Sequence, residues 1–219
     1  ALLYGASPFF HGYAVEGIVE GTDGWALALW AWMVVRDRSV VATAAFALTI
    51  LSSWYLGMVA CLLAVLLGAR HRTAWTSTVG LLFAAPALWA FTHAFGGNVA
   101  LDPAVRVAMV APLTIPMPGL TPGLNPFALT TYIGFAAVAL ALPSARRQPL
   151  WALGAIACAI LSTGRGPWWE LPVLEMVRFP YRWHAGTLLC LAPLVADTAA
   201  RLNRPFLASL PFLEGFLLS

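Results

Sequence analysis

The stretch that decides the fold is Ser39–Leu67, SVVATAAFALTILSSWYLGMVACLLAVLL, with Arg36-Asp37-Arg38 before it and Arg70-His71-Arg72 after it. At about 1.5 Å per residue, one straight helix of this length overshoots a hydrocarbon layer of roughly 30 Å. Arginine clusters at membrane-helix ends favour the cytoplasmic side. Two such clusters on one side require the run to go out and return. The stretch therefore reads as a helical hairpin turning near Ser52-Ser53-Trp54, where serines and an interfacial tryptophan suit a turn.

The rest of the chain is consistent with that setting. It has 219 residues, 61% of them hydrophobic and 10% charged, with mean hydropathy +0.81. Soluble domains carry about a quarter charged residues, so the composition is that of a polytopic membrane protein. Every one of the 12 basic residues is arginine, and the net charge of +3 gives no basic patch of the kind nucleic acid requires. Cys61, Cys158 and Cys190 each sit in an apolar run without metal-ligand spacing, and read as packing residues.

Further apolar runs are Trp25–Val35, Thr78–Phe95, Phe127–Leu142, Leu150–Leu161 and Trp183–Ala196. Alternating them across a membrane puts Arg36, Arg38, Arg70, Arg72, Arg146, Arg147, Arg201 and Arg204 on the cytoplasmic side. The expected fold is an all-α transmembrane bundle of about seven spans, N-terminus outside and C-terminus cytoplasmic. Residues 1–219 form a single transmembrane domain, read as the C-terminal portion of a longer protein whose N-terminal remainder is a partner. Pro86 and Pro193 fall within spans, and the tail after Arg204 reads as an interfacial segment, with an eighth span as the alternative.

Outer-side arginines run against the bias and so point to chemistry. Arg165, Arg178 and Arg182 gather before the last span, in STGRGPWWELPVLEMVRFPYRW. Pro180 suits the first turn of the helix that follows, which puts Tyr181, Arg182 and Trp183 in its opening turn. Cations are disfavoured at a helix N-terminus, so these arginines call for an anion, and an arginine fork beside backbone N–H groups suits phosphate. The alternative is internal: Glu170 and Glu175 pair with the arginines while Trp168, Trp169 and Trp183 form an aromatic belt. His11, Glu16, Glu20 and Asp23 offer a second outer cluster for a general base or a divalent cation, without an identifiable ligand set. Asp197 and Arg201 read as an i, i+4 pair, and His93 and His184 as hydrogen-bonded residues at outer helix ends.

Tyr132-Ile133-Gly134, Ser162-Thr163-Gly164 and Arg178-Phe179-Pro180-Tyr181-Arg182 resemble elements in the later membrane helices of bacterial GT-C-type glycosyltransferases, including the YfhO-like membrane proteins. The likeness covers residues 40–69 and 124–200. It implies a bacterial inner-membrane protein that transfers a sugar from a polyprenyl-phosphate donor at the outer face. Arg178 and Arg182 would neutralise the lipid-phosphate leaving group, with Arg165 as a further anion contact. Tyr181, Trp168 and Trp169 would position the sugar or prenyl chain, and Glu175 would orient an arginine. The family's catalytic carboxylate loop has no counterpart here, so no catalytic residue carries over. A transporter or flippase of a lipid or anionic solute, using the same arginines without chemistry, remains the alternative.

Overall fold

The computed structural model describes residues 24–94, 134–171, 174, 180–211 and 213–214, with Phe91, Thr92, Ala94 and Tyr181 described by their backbones alone. These residues are helical: α1 Gly24–Val35, α2 Ser39–Ser52, α3 Trp54–Gly68, α4 Arg72–Ser77, α5 Gly80–Ala94, α6 Phe135–Ala145, α7 Pro149–Ser162 and α8 His184–Arg201. Short 3₁₀ turns cover Pro167–Glu170, Pro180–Trp183 and Pro205–Ser209.

The hairpin forms where the arginine clusters require it. Ser53 breaks the helix with an extended backbone (φ −156°, ψ 115°), yet its N–H still donates to Thr49 O, and its carbonyl accepts from Gly57 N. Gly57 lets α3 close on α2, since a Cβ there would lie 3.2 Å from Ile50 Cα. At the far end of the hairpin Asp37 accepts a hydrogen bond from the Thr73 hydroxyl. This ties the Arg36/Arg38 turn to the Arg70/Arg72 turn. The short helix α4, which the hydropathy pattern does not announce, tucks in beneath: buried Ser77 Oγ accepts from Trp30 Nε1 at 2.9 Å. Trp30 in turn meets Phe46 edge-on at 5.8 Å.

Two glycines set the register of the remaining helices. A Cβ on Gly154 of α7 would meet Cys190 Sγ of α8 at 2.9 Å and Leu63 of α3 at 3.0 Å. One turn later on α7, Cys158 faces Gly186, one turn earlier on α8, and Val59 of α3 packs there as well. Helix α7 is therefore antiparallel to both α3 and α8, which run parallel. Helix α6 lies along α8, and Ser144 near its end bonds Asp197 and Thr198 near the end of α8, both at 2.7 Å. The Arg146/Arg147 turn and the Arg201/Arg204 segment thus share an end. The parallel run of α3 and α8 makes it the same end as the other two pairs. All eight of these arginines are exposed, and Arg182 belongs to the opposite end.

Three expectations need correction. The run Phe127–Leu142 ends late: the described helix runs Phe135–Ala145, three residues past Leu142, and the part of the run over 127–133 lies outside the described residues. At the start of α6 the Glu214 carboxylate accepts from Phe135 N (3.0 Å) and Ala136 N (2.8 Å), a cap supplied from the far end of the chain. The tail therefore does not stay at the arginine rim. From Arg204 to Glu214 it returns the length of α6, about 16 Å. His184, expected at an interface, is buried among α8's neighbours at 1% exposure.

The outward faces of the helices are apolar. Leu48 and Leu51 on α2, Leu82, Phe83 and Trp89 on α5, Leu142 on α6, and Leu153, Ile156 and Ile160 on α7 are all exposed. Among the described residues no helix is long and apolar enough to cross a membrane.

Candidate functional site

At the end away from the arginine pairs, the register of α3, α7 and α8 makes three segments converge. Tyr55 opens α3, Ser162 closes α7, and Arg182 precedes α8. The Pro180–Trp183 turn packs against both α7 and α3, with Pro180 and Trp183 buried. Proline fits here because its fixed φ and missing N–H cost nothing in an opening turn. The turn is 3₁₀ rather than α-helical, and Trp183 (φ −64°, ψ −15°) passes it directly into α8.

Arg182 is half-buried, and its guanidinium carbon lies 3.9 Å from the centroid of the Tyr55 ring. Tyr55 in turn stacks on Trp54, centroids 4.0 Å apart. A guanidinium laid flat on an aromatic face is held in a defined orientation by the ring's negative potential. The first-turn N–H groups of α8 add positive potential beside it. A half-buried cation beside a helix N-terminus favours an anion with several acceptor oxygens. One turn further into the core, the Thr187 hydroxyl is buried and has no hydrogen-bond partner among the described residues.

The second arginine at this end is Arg165. Helix α7 stops at Thr163, and Gly164 (φ +67°) and Gly166 (φ +106°) turn the chain through conformations that other residues rarely adopt. Arg165 sits between them, exposed, its backbone N–H donating to Thr163 Oγ1 at 3.3 Å. The Trp168 indole folds over Gly166, while Trp169 is buried in the helical core at 3% exposure. Trp169 is therefore a packing residue that anchors the loop and is not open to a sugar. Trp168 keeps an exposed face, and Glu170 is exposed.

Arg178 and Glu175 lie outside the described residues, as do His11, Glu16, Glu20, Asp23, Tyr132 and Ile133, and the Tyr181 side chain is likewise not described. Gly134, the last member of the Tyr-Ile-Gly step, caps α6 at φ +93°. Of the Trp54–Tyr55 aromatic pair the sequence marks only Trp54, at the hairpin turn, and not Tyr55. The signal for Tyr55 was present: an aromatic pair directly after the hairpin turn, on the side assigned to Arg182. Among the described residues no three His, Cys, Asp or Glu side chains gather as a metal ion would need. The cysteines are free, Cys158 and Cys190 buried against the two register glycines. Comparison with known protein families, with curated proteins and with solved structures finds no match to this chain.

Proposed function

We propose that this chain is a membrane-embedded unit of a bacterial inner-membrane glycosyltransferase, holding the phosphate of a polyprenyl-phosphate sugar donor at its Arg182 end. The observation that carries this reading is the Arg182 guanidinium, seated on Tyr55 at the opening of α8 and opposite the four arginine pairs. The apolar outward faces of α2, α5, α6 and α7 support embedding in lipid, because a helix apolar all round needs an apolar surrounding. The resemblance of Ser162-Thr163-Gly164 and of the Arg178–Arg182 element to GT-C-type enzymes supports the donor class. In such a reaction negative charge grows on the departing lipid phosphate. A guanidinium already oriented by an aromatic face stabilises it without reorganising.

The test uses the chain in phosphatidylcholine nanodiscs, titrated with polyprenyl phosphate. Arg182→Ala should weaken binding by about tenfold or more, the worth of one charge-assisted contact. Arg182→Lys should recover part of it, and Tyr55→Leu should cost ~2–5-fold through the lost cation–π contact. Arg178→Ala combined with Arg182→Ala should abolish binding. Unchanged affinity in that double variant, with the fold intact by thermal unfolding, refutes the phosphate reading. Translocation of labelled lipid without sugar transfer would instead assign the site to a flippase.

A further inference from the structure

We propose that the end of the bundle carrying the four arginine pairs is a docking surface for the headgroups of anionic phospholipids; this rests on the membrane-embedded reading above. The pairs come from four separate segments, and the hydrogen bonds Thr73–Asp37 and Ser144–Asp197 bring those segments to one level. All eight side chains are exposed. The carboxylates described at this end are Asp37, engaged by Thr73, and Asp197, engaged by Arg201 at 2.7 Å and by Ser144. That is the one ion pair at this end among the described residues, and it leaves the cations far in excess of the anions.

Apolar side chains stand between those cations. Trp75 follows Arg72, Leu202 lies between Arg201 and Arg204, and Phe206 follows Arg204; the three are 50%, 55% and 57% exposed. Arginines alternating with exposed aromatic and aliphatic groups at one level match a bilayer interface. There the apolar groups enter the acyl boundary and the guanidinium forks grip phosphodiesters above it. An acidic protein would satisfy the charge and leave these apolar groups in water. Phosphatidylglycerol-type lipids satisfy both.

The experiment compares the full chain in nanodiscs of phosphatidylcholine with and without phosphatidylglycerol, counting lipids retained on the protein by native mass spectrometry. The wild-type chain should retain phosphatidylglycerol well above its bulk share. Each neutralised arginine should lower that preference by up to ~5-fold. The variant Arg70→Gln, Arg72→Gln, Arg146→Gln, Arg147→Gln should bring it close to the bulk ratio. Wild-type retention at the bulk ratio, or a quadruple variant that keeps the enrichment, overturns the proposal while the chain remains embedded. A chain that binds polyglutamate peptide and shows no lipid preference overturns it in favour of an acidic protein partner. Failure to enter phosphatidylcholine discs at all overturns the embedded reading together with it.

Discussion

Gly186→Ala tests the register on which the Arg182 end depends. A Cβ at this position would lie 2.5 Å from Cys158 Sγ and 2.7 Å from Val59 Cγ1, with Cys158 Cβ at 3.3 Å. Cys158 and Val59 are short side chains at 0% and 1% exposure, so neither can swing aside. Overpacking of this kind costs about 1–3 kcal/mol. Alanine's better helix propensity returns roughly 0.8–1 kcal/mol. The expected net loss is about 0–2 kcal/mol, read by denaturant or thermal unfolding in mild detergent. The decisive measurement is the same substitution in a background carrying Cys158→Ala and Val59→Ala. The two closest atoms are then gone, the propensity gain remains, and the effect should change sign to mildly stabilising. Equal effects in both backgrounds would refute the packing of α8 on α3 and α7, and with it the level placement of Tyr55 and Arg182.

Glu214→Gln should loosen the start of α6, because a charged acceptor for two backbone N–H groups becomes a neutral one. A loss of about 1–2 kcal/mol would appear as faster amide exchange at Phe135 and Ala136, and unchanged exchange would exclude the cap. His71 offers a pH signature at the arginine end. Its pKa is lowered by burial and by neighbouring Arg70, against a smaller opposing pull from Asp37. The unfolded chain therefore takes up a proton before the folded one, and stability should fall as pH drops through the region just below 6.5. His71→Gln should flatten that slope, and an unaltered slope would assign it to other groups.

What could be read from residues alone was whatever charge and chain length constrain together. The α2–α3 hairpin was legible because Arg36/Arg38 and Arg70/Arg72 had to share a side and Ser39–Leu67 was too long for one helix. The Asp197–Arg201 pair was legible because helix spacing alone sets it. The features that escaped are set by partners distant in the chain. The Tyr132-Ile133-Gly134 step falls where the described helix begins, but the carboxylate that caps that start belongs to Glu214, far along the chain. His184 is flanked by Trp183 and Ala185, and its burial follows from the way α8 seats against other helices. Tyr55 carries no charge to draw attention. Its role follows from the glycine register that brings it under Arg182.

The helix lengths make a demand of their own. From Tyr55 at one end of α3 to Arg70 at the other is about 22 Å along the axis, against a hydrocarbon thickness of roughly 30 Å. If the arginine pairs hold one headgroup layer, Arg182 lies several ångströms short of the other, on the aromatic face of Tyr55. A guanidinium at that depth is costly without an anion or a local thinning of the bilayer. Both remedies bring a lipid phosphate down to Arg182, so mismatch and phosphate binding are coupled. In nanodiscs of graded acyl length the chain should therefore be most stable in short-chain lipid, with its melting temperature falling as the chains lengthen. Polyprenyl phosphate should restore more stability in the thick bilayer than in the thin one, and Arg182→Ala should remove that difference. A melting temperature that rises toward long-chain lipid, or a phosphate effect independent of thickness, would separate Arg182 from the membrane boundary and leave its seat on Tyr55 as packing alone.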